Sequence, residues 1–269
     1  MWFYLLPLGG HDVFATAPFW LGLAYVGFPL GLIIYGWNDL VDTETDRHNP
    51  RKGTYLFGAQ PSADELARLP IAIAAAQVPF FIPFYYFIGL RSLWLLAGLI
   101  GFSWLYNSRR FGFKNFPFVD LLNQCGYLFV FVLSSWLNDV PQLSWPVFVF
   151  GALFAMHSHL LGATMDIEPD RAAGRRTTAG VLGPIGAKFV IAAFLLVEAG
   201  LIGWYLENTF IAALLAMGAG WFVLDALVIW RNTPYSNRMM AAFLLGWNAI
   251  AIVSAPWIWR TAAFIDTIP

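Results

Sequence analysis

Apolar residues run along this chain in blocks long enough to cross a hydrocarbon core, which takes about 20 residues of helix, and the polar interruptions between them are short. Eight such segments are read near 18–37, 68–89, 92–107, 117–136, 144–164, 185–206, 209–230 and 240–259, with a shorter ninth at 1–10. The pattern predicts an all-α integral membrane bundle of about nine transmembrane helices, the first of them partial. No Lys or Arg precedes the first apolar run and no small-residue cleavage site follows it, so that helix is expected to stay attached.

Composition agrees with the pattern. Of 269 residues, 59% are hydrophobic and 12% charged, with a mean hydropathy of +0.64, against about 25% charged in a soluble domain. Membrane lipid is the expected solvent. The longest polar stretch, 38–67, is a loop rather than a second domain, so 1–269 is read as a single membrane domain. Cys125 stands alone in an apolar segment, which excludes a disulfide framework or a cysteine metal site within one chain. A net charge of −1 argues against a nucleic-acid partner, which calls for a strongly basic face.

The basic residues segregate under this segmentation. Thirteen lie on one side, namely Arg47, Arg51, Lys52, Arg68, Arg109, Arg110, Lys114, Arg171, Arg175, Arg176, Lys188, Arg231 and Arg238, and two, Arg91 and Arg260, lie on the other. The positive-inside rule makes the first side cytoplasmic. The chain is therefore expected in the cytoplasmic membrane with its N-terminus inside and its working face toward the cytoplasm. The opposite connectors at 10–17, 137–143 and 206–209 are short and carry no Lys or Arg.

Two acidic clusters fall on that cytoplasmic side. After the second apolar segment comes Asn38-Asp39-Leu40-Val41-Asp42-Thr43-Glu44-Thr45-Asp46-Arg47-His48-Asn49-Pro50. If the helix continues, spacings of three and four put Asp39, Asp42 and Asp46 on one face, and Asn49-Pro50 ends it. Like charges at a helix C-terminus repel one another and oppose the macrodipole, so a compensating cation is expected. The second cluster, Asp166-Ile167-Glu168-Pro169-Asp170-Arg171, joins the sixth and seventh segments. Mg²⁺ is usually held by one or two carboxylates plus substrate phosphate oxygens, so the five aspartates are candidate metal ligands for a bound diphosphate. Arg47, Arg51, Lys52 and Arg171, with Arg175 and Arg176 beyond, are candidates for the remaining phosphate oxygens.

These residues resemble the UbiA superfamily of membrane prenyltransferases. Asn38 to Asp46 matches its N-D-x-x-D-x-x-x-D loop, and Asp166, Asp170, Arg171 and Gly174 match the second loop as D-x-x-x-D-R-x-x-G, with Thr177-Thr178-Ala179 running into Leu182-Gly183. Asn49-Pro50-Arg51-Lys52-Gly53, Asp166-Ile167-Glu168-Pro169-Asp170, and Phe113-Lys114 before Pro117-Phe118-Val119-Asp120 look most similar to the lycopene elongases. A Tyr-x-x-x-Lys-Asp lead, usual in aromatic-acceptor members, is replaced by Ser158, Gly162 and Ala163.

The resemblance implies a helical bundle with a cytoplasm-facing central cavity and a Mg²⁺-dependent transfer from an isoprenoid diphosphate, dimethylallyl diphosphate above all, to lycopene or a related carotenoid. The alternative is the same donor with an aromatic, quinone-precursor or lipid acceptor. It implies Asp39, Asp42, Asp46, Asp166 and Asp170 as catalytic metal ligands, and Asn38, Arg47, Arg51, Lys52, Lys114, Arg171, Asp120 and Asn123 as diphosphate-binding residues.

Polar groups within apolar segments are functional candidates by default. Asp120 and Asn123, three apart near Lys114, are read as sharing a helix face. His157 and His159, two apart, face different sides of theirs, and Glu198 and Asp225 are read as interhelical hydrogen-bonding groups. None is assigned from the sequence as the acceptor of the proton that prenyl transfer releases.

Overall fold

A computed structural model describes residues 2–47, 49, 51–54, 58–108 and 111–265, without the side chains of Glu44, Thr45, Arg47 and Ala251. In chain order the helices are α1 (Trp2–Leu5), α2 (Ala17–Gly27), α3 (Pro29–Gly31), α4 (Trp37–Arg47), α5 (Ala63–Ile88), α6 (Arg91–Asn107), α7 (Val119–Leu122), α8 (Phe129–Asn138), α9 (Trp145–Ala163), α10 (Ile167–Ala172), α11 (Thr178–Tyr205), α12 (Thr209–Leu227) and α13 (Asn237–Thr261). A π-helical turn, Leu32–Gly36, joins α3 to α4. Among the described residues the only strand-like pairing is an isolated bridge between Thr54 and Gly58.

Among the described residues, six helical stretches are long and apolar enough to cross a membrane by length and composition: Ala17–Thr43, Ala63–Ile88, Trp145–Ala163, Thr178–Tyr205, Thr209–Leu227 and Asn237–Thr261. The segment read at 92–107 is α6, an apolar helix of 17 residues. The one read at 117–136 is not a continuous helix. It opens on Phe118 with φ 68°, makes the single α-helical turn of α7, passes through 3-10 helix over Asn123–Leu128, and returns to α-helix in α8.

Boundaries follow local chemistry. Helix α5 begins five residues before the apolar window read at 68, because Ser62 and Glu65 form a reciprocal capping box. Helix α11 is capped by Thr177 Oγ1, which accepts from Gly180 N at 3.2 Å. It then breaks at Gly183 (φ 65°, ψ 174°) ahead of Pro184, a conformation that only glycine adopts without strain. The start read at 185 is thus the start of the second part of α11.

The contacts divide into two compact units. The first comprises Met1–Gly112 and Gly126–Leu143. Its partial first helix is tied down by Tyr4, fully buried, whose hydroxyl donates to Phe19 O at 3.0 Å and accepts from Asn138 Nδ2 at 3.0 Å. Four residues of α1 are thereby fixed to α2 and α8. The tyrosine ring lies against Gly22, where an added Cβ would stand 2.3 Å from its oxygen.

The second unit comprises Phe113–Cys125 and Ser144–Asp266. Lys188 on α11 and Asp225 on α12, both fully buried, form an ion pair at 3.1 Å. The Lys188 ammonium also donates to Arg231 O at 2.9 Å and sits 4.9 Å from the centre of the Tyr235 ring. Asp225 accepts in addition from Trp230 N at 3.1 Å and from the Tyr235 hydroxyl. Burial, then the hydrogen bond and charge of Asp225, hold the Tyr235 phenol well above its ordinary pKa, so it remains a donor. One saturated pair therefore fastens α11, α12 and the 228–236 loop together.

Two stability outcomes follow. Gly22→Ala overpacks the Tyr4 site and is expected to cost about 1–3 kcal/mol, seen as a lower thermal-unfolding temperature in detergent. Lys188→Met strands the Asp225 carboxylate and is expected to cost about 3–5 kcal/mol, most of it recovered in Lys188→Met/Asp225→Leu, because removing both charges spares the desolvation penalty. Thermal unfolding of the two variants side by side checks this.

Candidate active site

The first motif lies on α4 and is anchored from below. Asn38 Nδ2 donates to Asn107 Oδ1 at the end of α6, at 3.1 Å. Helix α4 ends at Arg47, two residues before Asn49, and the chain turns back: Asn49 Oδ1 accepts from Arg51 N and Asn49 O from Lys52 N, both at 3.1 Å. Gly53 (φ 83°) and Gly58 (φ 101°) adopt the left-handed backbone that closes this return. Gly58 also leaves room for the lysine, since a Cβ there would stand 3.3 Å from Lys52 Nζ.

The result is one cation between two carboxylates. Lys52 Nζ lies 3.2 Å from Asp39 Oδ1 and 2.9 Å from Asp46 Oδ2. Burial alone would lower the ammonium's pKa, but the hydrogen bond and charge of Asp46, joined by Asp39, hold it above its ordinary value. Asp42, between them in sequence, is buried at 4% exposure. The cation that the helix-face argument calls for is thus supplied by the chain itself. The Arg47 side chain, with His48 and Pro50, lies outside the described residues.

The second motif is in the second unit. Asp166 precedes α10 and its carbonyl accepts from Asp170 N at 2.8 Å. Gly174 (φ 71°) turns the chain so that Arg175 reaches back. Arg175 N donates to Asp170 O at 2.8 Å, and its guanidinium is 3.6 Å from Asp170 Oδ1. Arg171 instead pairs with Glu168 at 2.8 Å, both side chains more than 60% exposed. Among the described residues Arg175 is a basic partner of this motif, while Arg171 is engaged one helical turn away with Glu168. Glu168 and Arg171 are three apart, a spacing that brings side chains together on a helix, and the sequence carried that signal.

Asp120, Asn123 and Lys114 are in the same unit. Asp120 is buried and its oxygens are engaged: Oδ1 accepts from Leu121 N at 2.9 Å and from the Thr178 hydroxyl, and Oδ2 from Thr178 N at 2.8 Å. It thereby holds the start of α11, the segment that follows the second motif. Lys114 is buried. Asn123 lies one turn from Asp120, and its buried Oδ1 has no hydrogen-bond partner among the described residues.

Divalent-cation chemistry fits the first motif because Asp39 and Asp46 already converge on a single positive centre. No group of three or more His, Cys, Asp or Glu side chains gathers as a metal site among the described residues.

Lys52→Met is expected to destabilise the metal-free protein by about 1 kcal/mol, the order of a partly exposed ion pair, as repulsion between Asp39 and Asp46 is released. Thermal unfolding with and without MgCl₂ checks this. The variant should recover more stability on Mg²⁺ addition than the wild type does.

The profile of the UbiA prenyltransferase family matches residues 1–248. A lycopene elongase/hydratase of Corynebacterium glutamicum is 28% identical over 249 residues, 90% of this chain and 84% of that protein. One of Halobacterium salinarum is 30% identical over 175 residues, 62% of this chain and 59% of its own. Among solved structures, the apo structure of a UbiA homolog from Aeropyrum pernix K1 superposes with a TM-score of 0.57, 22% identity and 86% coverage of each chain.

Proposed function

This chain belongs to the UbiA prenyltransferase family, and on that premise we propose that it transfers a dimethylallyl group from its diphosphate to lycopene or a closely related carotenoid. It is an integral membrane prenyltransferase. The observation that carries the reading is the convergence of Asp39 and Asp46 on one cation within the first motif. The acceptor is supported by relatives named as lycopene elongases over most of the chain's length.

On this reading Asp39, Asp42, Asp46, Asp166 and Asp170 are the Mg²⁺ ligands. When bound, the metal neutralises charge on the departing pyrophosphate. Lys52, which sits at the carboxylates in the free protein, exchanges its partners for phosphate oxygens, and Arg51 and Arg175 donate charge-assisted hydrogen bonds to the same group. Asn38 orients α4 through Asn107, and Asp120 positions the start of α11 through Thr178. Asn123 donates to the diphosphate through its side-chain amide. Apolar helices around the reacting carbons exclude water, which would otherwise capture an allylic cation.

Residues 1–269 are read as one domain of this family with about nine membrane helices, the short α1 a partial one and α7–α8 a broken one. The site opens to the cytoplasm, on the side favoured by thirteen of the fifteen basic residues.

Expression in a lycopene-accumulating host, with carotenoids analysed by mass, tests the proposal. The wild type is expected to add one or two five-carbon units, and unchanged lycopene with adequate donor rejects the acceptor. Asp39→Asn and Asp166→Asn are each expected to abolish addition at normal membrane abundance.

A further inference from the structure

Two buried acid–base pairs lie between membrane-spanning helices of the second unit, and they differ in one respect. The Lys188–Asp225 pair is saturated, every charged atom being hydrogen-bonded within the protein. The pair made by His157 on α9 and Glu198 on α11 is not. His157 Nδ1 and Glu198 Oε1 are 2.7 Å apart, with the side chains 6% and 0% exposed. Glu198 Oε2 is buried without a hydrogen-bond partner, and His157 Nε2 makes none among the described residues. Buried polar groups in folded proteins are overwhelmingly paired, so the unpaired Glu198 Oε2 calls for an explanation.

Chemistry supplies one. A carboxylate accepts hydrogen bonds only, so with Glu198 ionised the imidazole hydrogen sits on Nδ1 and the free lone pair is on Nε2. Such a pair is built to take up a proton: the imidazole becomes imidazolium and the buried carboxylate acquires a full counter-charge. Its depth suits the reaction. His157 lies six residues before the end of α9 at Ala163, about 9 Å of helical rise, and the chain runs from that end directly into Asp166.

We infer that His157, oriented by Glu198, accepts the proton that prenyl transfer releases. The inference rests on the prenyl-transfer reading above. In that reaction the C1–O bond of the donor breaks with its electron pair leaving on pyrophosphate. The π electrons of a terminal double bond of the acceptor form the new bond to C1, leaving a tertiary cation on the acceptor. A proton then passes to His157 Nε2, and the C–H pair closes a new double bond. Where a water adds to the cation instead, its surplus proton goes to the same nitrogen.

The test uses the full-length enzyme in detergent or membranes, with lycopene and dimethylallyl diphosphate, following elongated carotenoid and pyrophosphate separately. His157→Phe keeps the ring packed against Phe154, whose centroid is 5.2 Å away, and is expected to slow carotenoid formation by about 100-fold or more. The KM for donor should hold while pyrophosphate released per carotenoid rises, since ionisation continues without productive termination. A merely structural lesion would lower both products together.

Glu198→Gln, which retains a hydrogen-bonding side chain, should slow carotenoid formation by about 10-fold or more, and the double variant should lose no more than His157→Phe alone. A folded His157→Phe enzyme within about threefold of the wild type overturns the assignment. If His157→Phe does not fold, full turnover by Glu198→Gln overturns it. A wild type that releases no pyrophosphate and leaves lycopene unchanged overturns the underlying reading instead.

Discussion

A carboxylate inside or beside a hydrocarbon layer cannot rely on water, so its position is determined by whatever cation or donor the chain brings to it. Much of this molecule follows from meeting that demand site by site. Lys52 turns back over α4 to meet Asp39 and Asp46. Arg175 turns back over α10 to meet Asp170. Thr178 presents both its amide and its hydroxyl to Asp120, which fixes where α11 starts. Lys188 meets Asp225 and, by reaching Arg231 O as well, draws a loop onto the helices. Each connection ties a loop or a helix end to a neighbouring element. The acids therefore order the ends of the helices, where sliding apolar surfaces alone specify little.

The same demand separates acids that hold the structure from those free to act. Asp225 and Asp120 have their oxygens engaged by protein donors, as expected of groups whose task is positional. Asp39 and Asp46 share one side chain, a lysine on a glycine-flanked return. Glu198 is half-engaged. The degree of saturation is thus a graded property along this chain.

How much of this was visible in the sequence depends on how local the cause is. The spacing of Asp39, Asp42 and Asp46 placed the motif on a helix, and Asn49-Pro50 marked its end, because both rest on residues a few positions apart. Asn38's partner Asn107 and Asp120's partner Thr178 lie far away in the chain, so no local pattern reveals them. Lys52 was legible as a basic residue but not as the one that caps the carboxylates, since its placement needs the Asn49 turn and two left-handed glycines. The Ser62–Glu65 capping box was legible, yet an apolar window gives no weight to the polar first turn of a helix. Over 117–136, hydropathy reported a continuous run where Phe118 and the 3-10 stretch interrupt it, because apolar content measures solvent and not backbone geometry.

The π-turn at Leu32–Gly36 carries a consequence for how the first motif is inherited. A π-turn accommodates an extra residue per turn, so the stripes on α2 and α3 do not project in register onto α4. Removing one residue from that turn would leave the membrane segment long enough and the motif intact in spelling, but would rotate α4 with its return loop as one piece and carry Asn38 away from Asn107. Natural variation in this stretch should therefore be rich in substitutions and poor in single-residue insertions and deletions, a constraint on length that no individual side chain in it would betray.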